Sequence, residues 1–439
     1  MTITIYMLEN KDKYLASRGN YLNSFLASLF TLMLGLFTGV LLARGLGPQG
    51  RGELAGISFI FTSSGSLIGT FISAQSIISQ LLINKRINGI NLLIIFMGIL
   101  GAVLSLIFYY IFNDNINYNN NYIIILVLLT FTQVIYQSSC AVQRGLGNFN
   151  IVSISIGFIS GVYFLCLYLL FYFNYMTVFS VLLASLFPIF FSSIFLMYKL
   201  NGWGKLNILT FMGYLKSGHS FFYLSLMALS IASIDKVLLL KLSNLTELGF
   251  YAVSAGLASP LIILAETIVQ ISFVEVSGSK ISGDGVRVAL SRFRIGQASL
   301  ILFGLGLILI GPWFITFVFG SEFNQSILPF ILLVFAMVFR GQWLFLDNSL
   351  QALNLKKSSF IVSLIGLMAM ALTGFFLVPT MGSNGAAISL LVGYIVMFIS
   401  QVAMWRYELG VRWCELWGLN YNTIAPLFSL AKIKLKEFL

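Results

Sequence analysis

Four charged residues lie inside long segments that are otherwise almost free of charge: Asp235, Lys236, Glu266 and Arg340. A charge at the centre of a bilayer costs at least about 2.5–3.5 kcal/mol on insertion scales, so such side chains turn toward a protein interior or a cavity. Asp235 and Lys236 are adjacent, about 100° apart on a helix, and each therefore needs its own partner. We interpret the four residues as parts of a substrate or ion pathway, with a structural ion pair between Arg340 and a carboxylate as the alternative.

Polar residues at helical spacing mark two further segments. Gln133, Gln137 and Arg144 occur at positions i, i+4 and i+11, which places them on one helix face. Another segment carries small polar residues three and four positions apart, among them Ser66 and Ser73. Because lipid-facing surfaces are apolar, such a face indicates either close helix packing or a water-filled cavity, and both interpretations stay open.

Three arginines, Arg44, Arg51 and Arg144, lie at the ends of apolar segments. At such a position a long side chain can extend to the lipid headgroups. We consider this role for the arginines about as probable as contact with a substrate. His219 lies at the start of another apolar segment, where an interfacial position is favoured over a role in proton transfer.

The composition excludes several classes of protein. Of the 439 residues, 59% are hydrophobic and 9% charged, so too few polar residues are present to cover a soluble domain. One histidine and three isolated cysteines indicate neither a zinc site nor a disulfide framework, and we expect no catalytic residue, metal or cofactor. The formal charge of +11 comes from dispersed basic residues, which indicates membrane topology rather than nucleic-acid binding.

Apolar windows long enough to cross a bilayer recur along the whole chain, since a membrane helix needs about 20 mostly apolar residues. They predict an all-α polytopic protein with twelve spans, at 21–43, 55–82, 89–112, 122–142, 151–172, 178–198, 219–242, 251–274, 295–319, 325–347, 358–379 and 384–404. Twenty of the 25 lysines and arginines then fall on the side of the N-terminus and three on the opposite side. Cytoplasmic loops carry this excess, so both termini are predicted to be cytoplasmic.

Short segments echo each other between the two halves of the chain. Segment 41–55 is echoed at 239–252, and segment 143–153 is echoed at 351–363. We therefore predict two parallel six-span repeats, an N-terminal lobe at 1–200 and a C-terminal lobe at 201–404. Residues 405–439 carry three tryptophans among charged residues, beginning with Trp405, and this pattern predicts a cytoplasmic helix lying in the membrane interface.

Several short motifs, in order along the chain, carry a resemblance to a known family. They are Leu42-Ala43-Arg44-Gly45-Leu46-Gly47-Pro48-Gln49-Gly50-Arg51-Gly52, Ile234-Asp235-Lys236-Val237-Leu238-Leu239 with Glu247-Leu248-Gly249-Phe250-Tyr251-Ala252, Phe319-Gly320-Ser321-Glu322-Phe323, and Leu377-Val378-Pro379 with Gly385-Ala386-Ala387-Ile388. In these motifs the chain resembles the Wzx-type flippases of bacterial O-antigen and capsule synthesis. The resemblance extends over essentially the whole chain. It implies the fold of the multidrug-and-toxin (MATE) exporters and lipid II flippases, with two six-helix lobes forming a V around a central cavity.

The resemblance also implies a function, a location and partners. The cargo would be an undecaprenyl-pyrophosphate-linked oligosaccharide, moved from the inner to the outer leaflet of the bacterial inner membrane by alternating access. A polysaccharide polymerase and a chain-length regulator are the partner proteins it suggests. An anionic pyrophosphate and sugar hydroxyls would contact cationic and polar cavity residues, for which the candidates are Arg44, Arg144, Lys236, Arg340, Gln133, Gln137, Ser66 and Ser73. Protonation or cation binding, of H⁺ or Na⁺, at Asp235 or Glu266 would drive the transition.

Three other functions, two of them enzymatic, are compatible with a polytopic chain. An oligosaccharide polymerase would be expected to carry a substantial outer loop, and a membrane O-acyltransferase an intramembrane histidine, and the sequence shows neither feature. A drug exporter of the same fold would favour cationic cargo and an acidic cavity. Here the four intramembrane charges balance, and Arg44 and Arg144 make the sum positive.

Overall fold

The computed structural model describes residues 18–69, 89–112, 121–146, 148–200, 202, 226–279, 285–353 and 355–411. Within these ranges the chain is helical apart from short turns and contains no β-strand. Eight of the described helices are long and apolar enough to cross a membrane, or nine if one bent pair is counted as a single span. The protein is a multi-pass membrane protein, as its composition predicts.

The chain divides into two compact units, Met1–Leu229 and Ser230–Leu439. Five described helices lie in the first unit: α1 (Arg18–Gly69), α2 (Ile90–Phe112), α3 (Asn121–Gly145), α4 (Phe149–Tyr172) and α5 (Val178–Leu200). In the second unit, α6 covers residues 226–242 and begins just before the division, and it is followed by α7 (Leu245–Ala258), α8 (Pro260–Ser279), α9 (Gly285–Phe314), α10 (Ile327–Ala352) and α11 (Lys356–Leu409).

Two of these helices are broken by a glycine. α11 contains the predicted spans 358–379 and 384–404, whereas α1 contains span 21–43 and span 55–82 only as far as Gly69, since residues 70–82 lie outside the described ranges. In α1 the break is at Gly47, with φ 66°, and in α11 it is at Gly382, with φ 55°. Both values lie in the left-handed region that glycine tolerates best. Pro48 follows the first break directly and suits the first turn of a new helix, because its missing N–H would have no intrahelical partner there. The segment between the predicted spans 1 and 2, residues 44–54, is therefore helical apart from the break at Gly47.

Two further interruptions occur at residues whose types favour them. The turn at Phe173-Asn174 separates α4 from α5, and Asn174 has a positive φ of 58°. Pro260 begins α8 directly after α7, and the two helices meet at an angle of 42°. Proline cannot donate the backbone hydrogen bond that a continuous helix needs, which explains the kink.

The predicted interfacial tail, residues 405–439, is described only as far as residue 411. Trp405 lies within α11, which continues to Leu409, and its side chain is 0% exposed. Its indole Nε1 donates to the carbonyl oxygen of Leu346 on α10 at 3.2 Å. The indole therefore links the end of α11 to α10, as the polar group of a buried tryptophan commonly does.

Small residues let helices pack closely in the first unit. A Cβ added at Gly98 on α2 would lie 3.0 Å from the ring of Phe131 on α3, and one added at Gly101 would lie 2.6 Å from Val134. Close approach through small residues is the usual way in which membrane helices associate, since lipid and leucine are equally apolar.

The two loops whose sequences echo each other close in similar ways. Between α3 and α4, the Asn148 side chain donates to Gln143 Oε1 at 2.9 Å, and the Asn148 amide donates to the Gln143 carbonyl at the same distance. Between α10 and α11, Gln351 Nε2 donates to Ser359 Oγ at 3.3 Å, and the Leu355 amide donates to the Leu350 carbonyl at 2.9 Å. In each unit, a glutamine near the helix end holds the start of the next helix.

Candidate functional site

Four helices of the second unit bring together the residues that we call the Asp235 cluster: Asp235 on α6, Tyr251 on α7, Arg340 on α10 and Tyr394 on α11. Asp235 is only 4% exposed. The Tyr251 hydroxyl donates a hydrogen bond to Asp235 Oδ2, while Oδ1 is buried and has no hydrogen-bond partner among the described residues. One carboxylate oxygen is thus held by the protein and the other is left for a proton or a ligand.

Arg340 provides the positive charge of the cluster. Its guanidinium lies over the ring of Tyr394, 5.8 Å from the centroid, in a cation–π contact. Its Nε is buried without a hydrogen-bond partner, and no ion pair joins Arg340 to a carboxylate within the part of the chain that the structure describes. Both Asp235 and Arg340 lie within electrostatic range of the Tyr251 and Tyr394 hydroxyls. The two opposite charges therefore share a site and are not directly paired.

Local sequence explains how Tyr251 is positioned. The side chain of Asn244 caps α7 by accepting from the Glu247 amide at 2.9 Å, which fixes where the helix begins. Glu247 in turn accepts from the Ser383 amide at 2.8 Å and the Ser383 hydroxyl at 2.6 Å, just after the break at Gly382. A Cβ at Gly382 would lie 2.5 Å from Glu247 Oε2, so only glycine fits there. The hydrogen bonds between Glu247 and Ser383 connect α7, which carries Tyr251, with α11, which carries Tyr394.

The other charged candidates of the second unit lie outside the Asp235 cluster. Lys236 is half-buried and follows Asp235 on α6, so it occupies a different helix face. Glu266 lies on α8 and is exposed. Of the two predicted coupling carboxylates, Asp235 is the one that the structure buries beside a cation.

A second buried carboxylate, Asp347 on α10, has a different environment. Ser359 donates to its Oδ1, and Gln351 donates to its Oδ2 at 2.7 Å. Both oxygens are satisfied by neutral donors that connect α10 with the start of α11. This arrangement is that of a structural residue, because no atom of the carboxylate is left for a ligand.

The candidate residues of the first unit differ in how far they are buried and in what they contact. Gln133 and Gln137 on α3 are half-buried and pack against Gly65 and Gly69 of α1, at 3.2 and 3.1 Å from an added Cβ. Ser66 is half-buried on α1. Arg44 and Arg144 are both exposed, and Ser73 lies outside the described residues. The structure therefore brings Gln133 and Gln137 to one helix contact, apart from the two arginines.

Sequence reasoning missed the two tyrosines of the Asp235 cluster. Tyr251 stands in the quoted motif Glu247-Leu248-Gly249-Phe250-Tyr251-Ala252, but nothing in the pattern assigned it to Asp235. Tyr394 lies in an apolar run, where a tyrosine resembles the 18 others in the chain. No group of three or more His, Cys, Asp or Glu side chains able to hold a metal ion occurs among the described residues.

The chain matches no known family model and no curated protein. Solved structures do match it. The lipid II flippase MurJ, in an inward closed conformation, superposes with a TM-score of 0.74 and 14% sequence identity, covering 93% of this chain and 92% of that chain. The chain has the MurJ and MATE transporter fold. An inward-facing multidrug resistance MATE family transporter of the MOP superfamily superposes with a TM-score of 0.69 and 13% identity over 88% of this chain and 98% of that chain.

A third match is a MOP superfamily transporter from Pyrococcus furiosus, with a TM-score of 0.59 and 16% identity over 88% of this chain and 95% of that chain. At these identities the likeness establishes the MurJ and MATE fold. The site must be argued from its own residues, because one fold can carry different functions.

Proposed function

We propose that this protein is a flippase that moves an undecaprenyl-pyrophosphate-linked oligosaccharide, such as an O-antigen or capsule repeat unit, from the inner to the outer leaflet. The observation that carries the proposal is Arg340, a half-buried cation in a membrane-spanning unit with no described carboxylate partner. Asp235 lies in the same site but is not directly paired with Arg340, so the guanidinium Nε still lacks an acceptor, which an anionic cargo can supply during the transport cycle. A pyrophosphate linked to a lipid supplies that anion, and the MurJ match shows that this fold serves a lipid-linked cargo in another protein.

The proposal includes ion coupling at Asp235. The carboxylate has one oxygen held by Tyr251 and one without a described partner, so a proton or a cation can bind the second oxygen without breaking the first contact. Glu266 is exposed and has no comparable enclosure. We therefore favour Asp235 over Glu266 as the coupling residue, with the two units exposing the cargo first to one side and then to the other.

The proposed location is the bacterial inner membrane with both termini in the cytoplasm, and this follows from the distribution of lysine and arginine. A polysaccharide polymerase and a chain-length regulator are the proposed partners, because a flipped repeat unit must be polymerised on the outer side.

The first test is the sidedness of lipid-linked repeat units in cells that lack this gene. Accumulation of complete units on the cytoplasmic leaflet supports the flippase. Accumulation on the outer leaflet contradicts it and indicates a polymerase. An undisturbed pool also contradicts it and leads to drug-efflux assays, since a MATE multidrug transporter shares the fold.

The second test uses complementation by variants. Arg340→Gln should reduce flipping at least tenfold, since a lost hydrogen bond to a charged group is worth about 1.5–3 kcal/mol. Arg340→Lys should retain part of the activity, because it keeps the charge but loses the planar fork of donors. Lys199→Gln is the matched control, as Lys199 is an exposed cation whose described neighbour is the Phe195 ring. Full activity of Arg340→Gln would contradict the assignment.

Coupling is tested separately in proteoliposomes. Asp235→Asn should abolish the dependence of transport on an imposed proton or sodium gradient, whereas Glu266→Gln should leave that dependence intact. The opposite pattern would assign coupling to Glu266.

A further inference from the structure

Three glutamines of the second unit are buried without full hydrogen bonding, and we call them the glutamine cluster. Gln297 on α9, Gln342 on α10 and Gln401 on α11 are 2%, 3% and 0% exposed. Four of their amide atoms have no hydrogen-bond partner among the described residues: the Oε1 of each glutamine and the Nε2 of Gln401. A buried polar group without a partner costs about 1–3 kcal/mol, so such groups are normally satisfied by bound water where the protein offers no partner.

Close contacts join α9 and α10 at the level of this cluster. A Cβ added at Gly296 would clash with the ring of Phe345, and one added at Gly341 would clash with Leu300. Each of these glycines is the chain neighbour of a cluster glutamine. The two helices therefore approach each other closely where Gln297 and Gln342 lie.

The last part of α11 contacts both of these helices. The ring centroid of Phe398 lies 6.5 Å from that of Phe293 on α9 and 6.0 Å from that of Phe339 on α10. Trp405, seven residues later, is hydrogen-bonded to α10. Gln401 lies between Phe398 and Trp405 on the same helix face, so it faces the junction with α9 and α10.

The other two glutamines face the same junction. Gln297 lies one turn after Phe293, the residue of α9 that contacts α11, and on the same face. Gln342 lies three residues after Phe339, which contacts α11, and three residues before Phe345, which contacts α9. Its direction on the helix is therefore between those of its two neighbours. Three buried amides from three helices converge in one place.

The chemistry of the four atoms matches water. The three amide oxygens are acceptors, and Gln401 Nε2 is a donor. Two water molecules have four O–H groups, of which three can donate to the amide oxygens and one to the other water. One water also accepts from Gln401 Nε2. Each water then makes three hydrogen bonds, which is the usual number for a water inside a protein.

The glutamine cluster lies next to the Asp235 cluster. Arg340 stands two residues before Gln342 on α10, about 3 Å along the helix axis, and Tyr394 stands seven residues before Gln401 on α11, about 10 Å along the axis. Asp235 keeps one carboxylate oxygen without a described partner. Water held by the glutamines is therefore within a few hydrogen-bond lengths of the proposed coupling site.

We propose that the glutamine cluster binds two water molecules inside the second unit and that this water gives Asp235 access to protons. The inference rests on the proposed function and deepens it, because it adds a route to the coupling residue. In the transfer, a hydronium ion at the site gives one proton to Asp235 Oδ1 and becomes water, and the reverse transfer restores the carboxylate. Tyr251 of α7, Arg340 of α10 and Tyr394 of α11 share the site with Asp235, and Lys236 is its neighbour on α6.

Radiolytic footprinting of the full-length protein in nanodiscs tests the water site. X-rays generate hydroxyl radicals from bound water, and these radicals oxidise the side chains beside that water. Phe398 is 4% exposed and should be labelled in the parent protein. The double variant Gln342→Leu with Gln401→Leu keeps similar side-chain volumes and removes both amides, so labelling of Phe398 should fall at least about tenfold.

The matched control is Gln325→Leu, which changes an exposed glutamine and should leave the labelling of Phe398 at the parent level. If the double variant fails to fold, the single variants Gln342→Met and Gln401→Met replace it, because methionine is unbranched and adapts to irregular space. Each should reduce the labelling of Phe398 by a smaller factor. An unlabelled Phe398 in the parent, or equal labelling in the parent and the variants, would overturn the water site.

Infrared spectroscopy of the same nanodiscs tests the proton route. The C=O stretch of protonated Asp235 is identified by its loss in Asp235→Asn, and it shifts when D₂O replaces H₂O. The shift should take at least about tenfold longer in the double leucine variant than in the parent or in Gln325→Leu. Equal exchange rates would overturn the route.

The outcomes also separate this inference from the proposed function. If the Asp235 band appears on acidification and exchanges as fast in the double variant as in the parent, the inference fails and coupling at Asp235 stands. If the band is absent at every pH at which the protein is folded, coupling at Asp235 fails and the proton route fails with it. If deletion cells show an undisturbed pool of repeat units, the flippase fails, while the labelling of Phe398 still decides the water site.

Discussion

The hydrogen bond from Tyr251 to Asp235 is the contact on which the coupling proposal depends most directly. Tyr251→Phe removes the donor and retains the aromatic ring. Because Oδ1 already lacks a described partner, the variant leaves the carboxylate with no described hydrogen bond. At 4% exposure, water cannot compensate fully. A hydrogen bond to a charged group contributes about 1.5–3 kcal/mol, so we expect the free energy of unfolding at neutral pH to fall by about that amount.

A double-mutant cycle isolates this contact from other effects of the substitution. Tyr251→Phe, Asp235→Asn and the double variant are unfolded by denaturant in the same detergent micelles. A neutral hydrogen bond is worth about 0.5–1.5 kcal/mol, so Tyr251→Phe should cost about 1 kcal/mol less in the Asp235→Asn background. Tyr407→Phe is the control, since Tyr407 is 86% exposed and should show no measurable loss.

Two results would refute this reasoning. An equal cost of Tyr251→Phe in both backgrounds would mean that the hydroxyl does not act through the carboxylate. A Tyr251→Phe variant that is as stable as the parent would mean that the hydrogen bond from Tyr251 to Asp235 makes no measurable contribution to stability.

Three further outcomes follow from the packing. Glu247→Ala removes the acceptor of two hydrogen bonds from Ser383, next to the break in α11. The Ser383 amide hydrogen should then exchange with deuterium at least tenfold faster. Unchanged exchange would contradict the hydrogen bonds between Glu247 and Ser383. Gly385→Ala should prevent folding or lower the free energy of unfolding by several kcal/mol, because its Cβ would lie 2.3 Å from a backbone oxygen. Gly161→Ala is the control: an added Cβ meets nothing within 4 Å, so thermal unfolding should show no change or a stabilisation of up to about 1 kcal/mol. Trp405→Phe should lower stability by about 0.5–1.5 kcal/mol through the lost bond to α10, measured in the same unfolding assay.

The intramembrane charges were predictable from sequence, and their partners were not. The cost of burying charge in lipid selects Asp235 and Arg340 without any knowledge of neighbours. The Tyr251 hydroxyl comes from the next helix, 16 residues away. Tyr394 comes from another helix again, and in a chain with 15% aromatic residues neither tyrosine is distinctive. Tertiary packing alone decides which aromatic side chain meets the carboxylate.

For the arginines, the sequence did not predict which side chain is buried. Arg44 and Arg51 stand in the same motif, and only Arg44 is among the predicted cavity residues. The structure leaves Arg44 exposed and encloses the Nε of Arg51. The break at Gly47 lies between the two arginines and changes the direction of the backbone there. Periodicity along the sequence cannot give that direction.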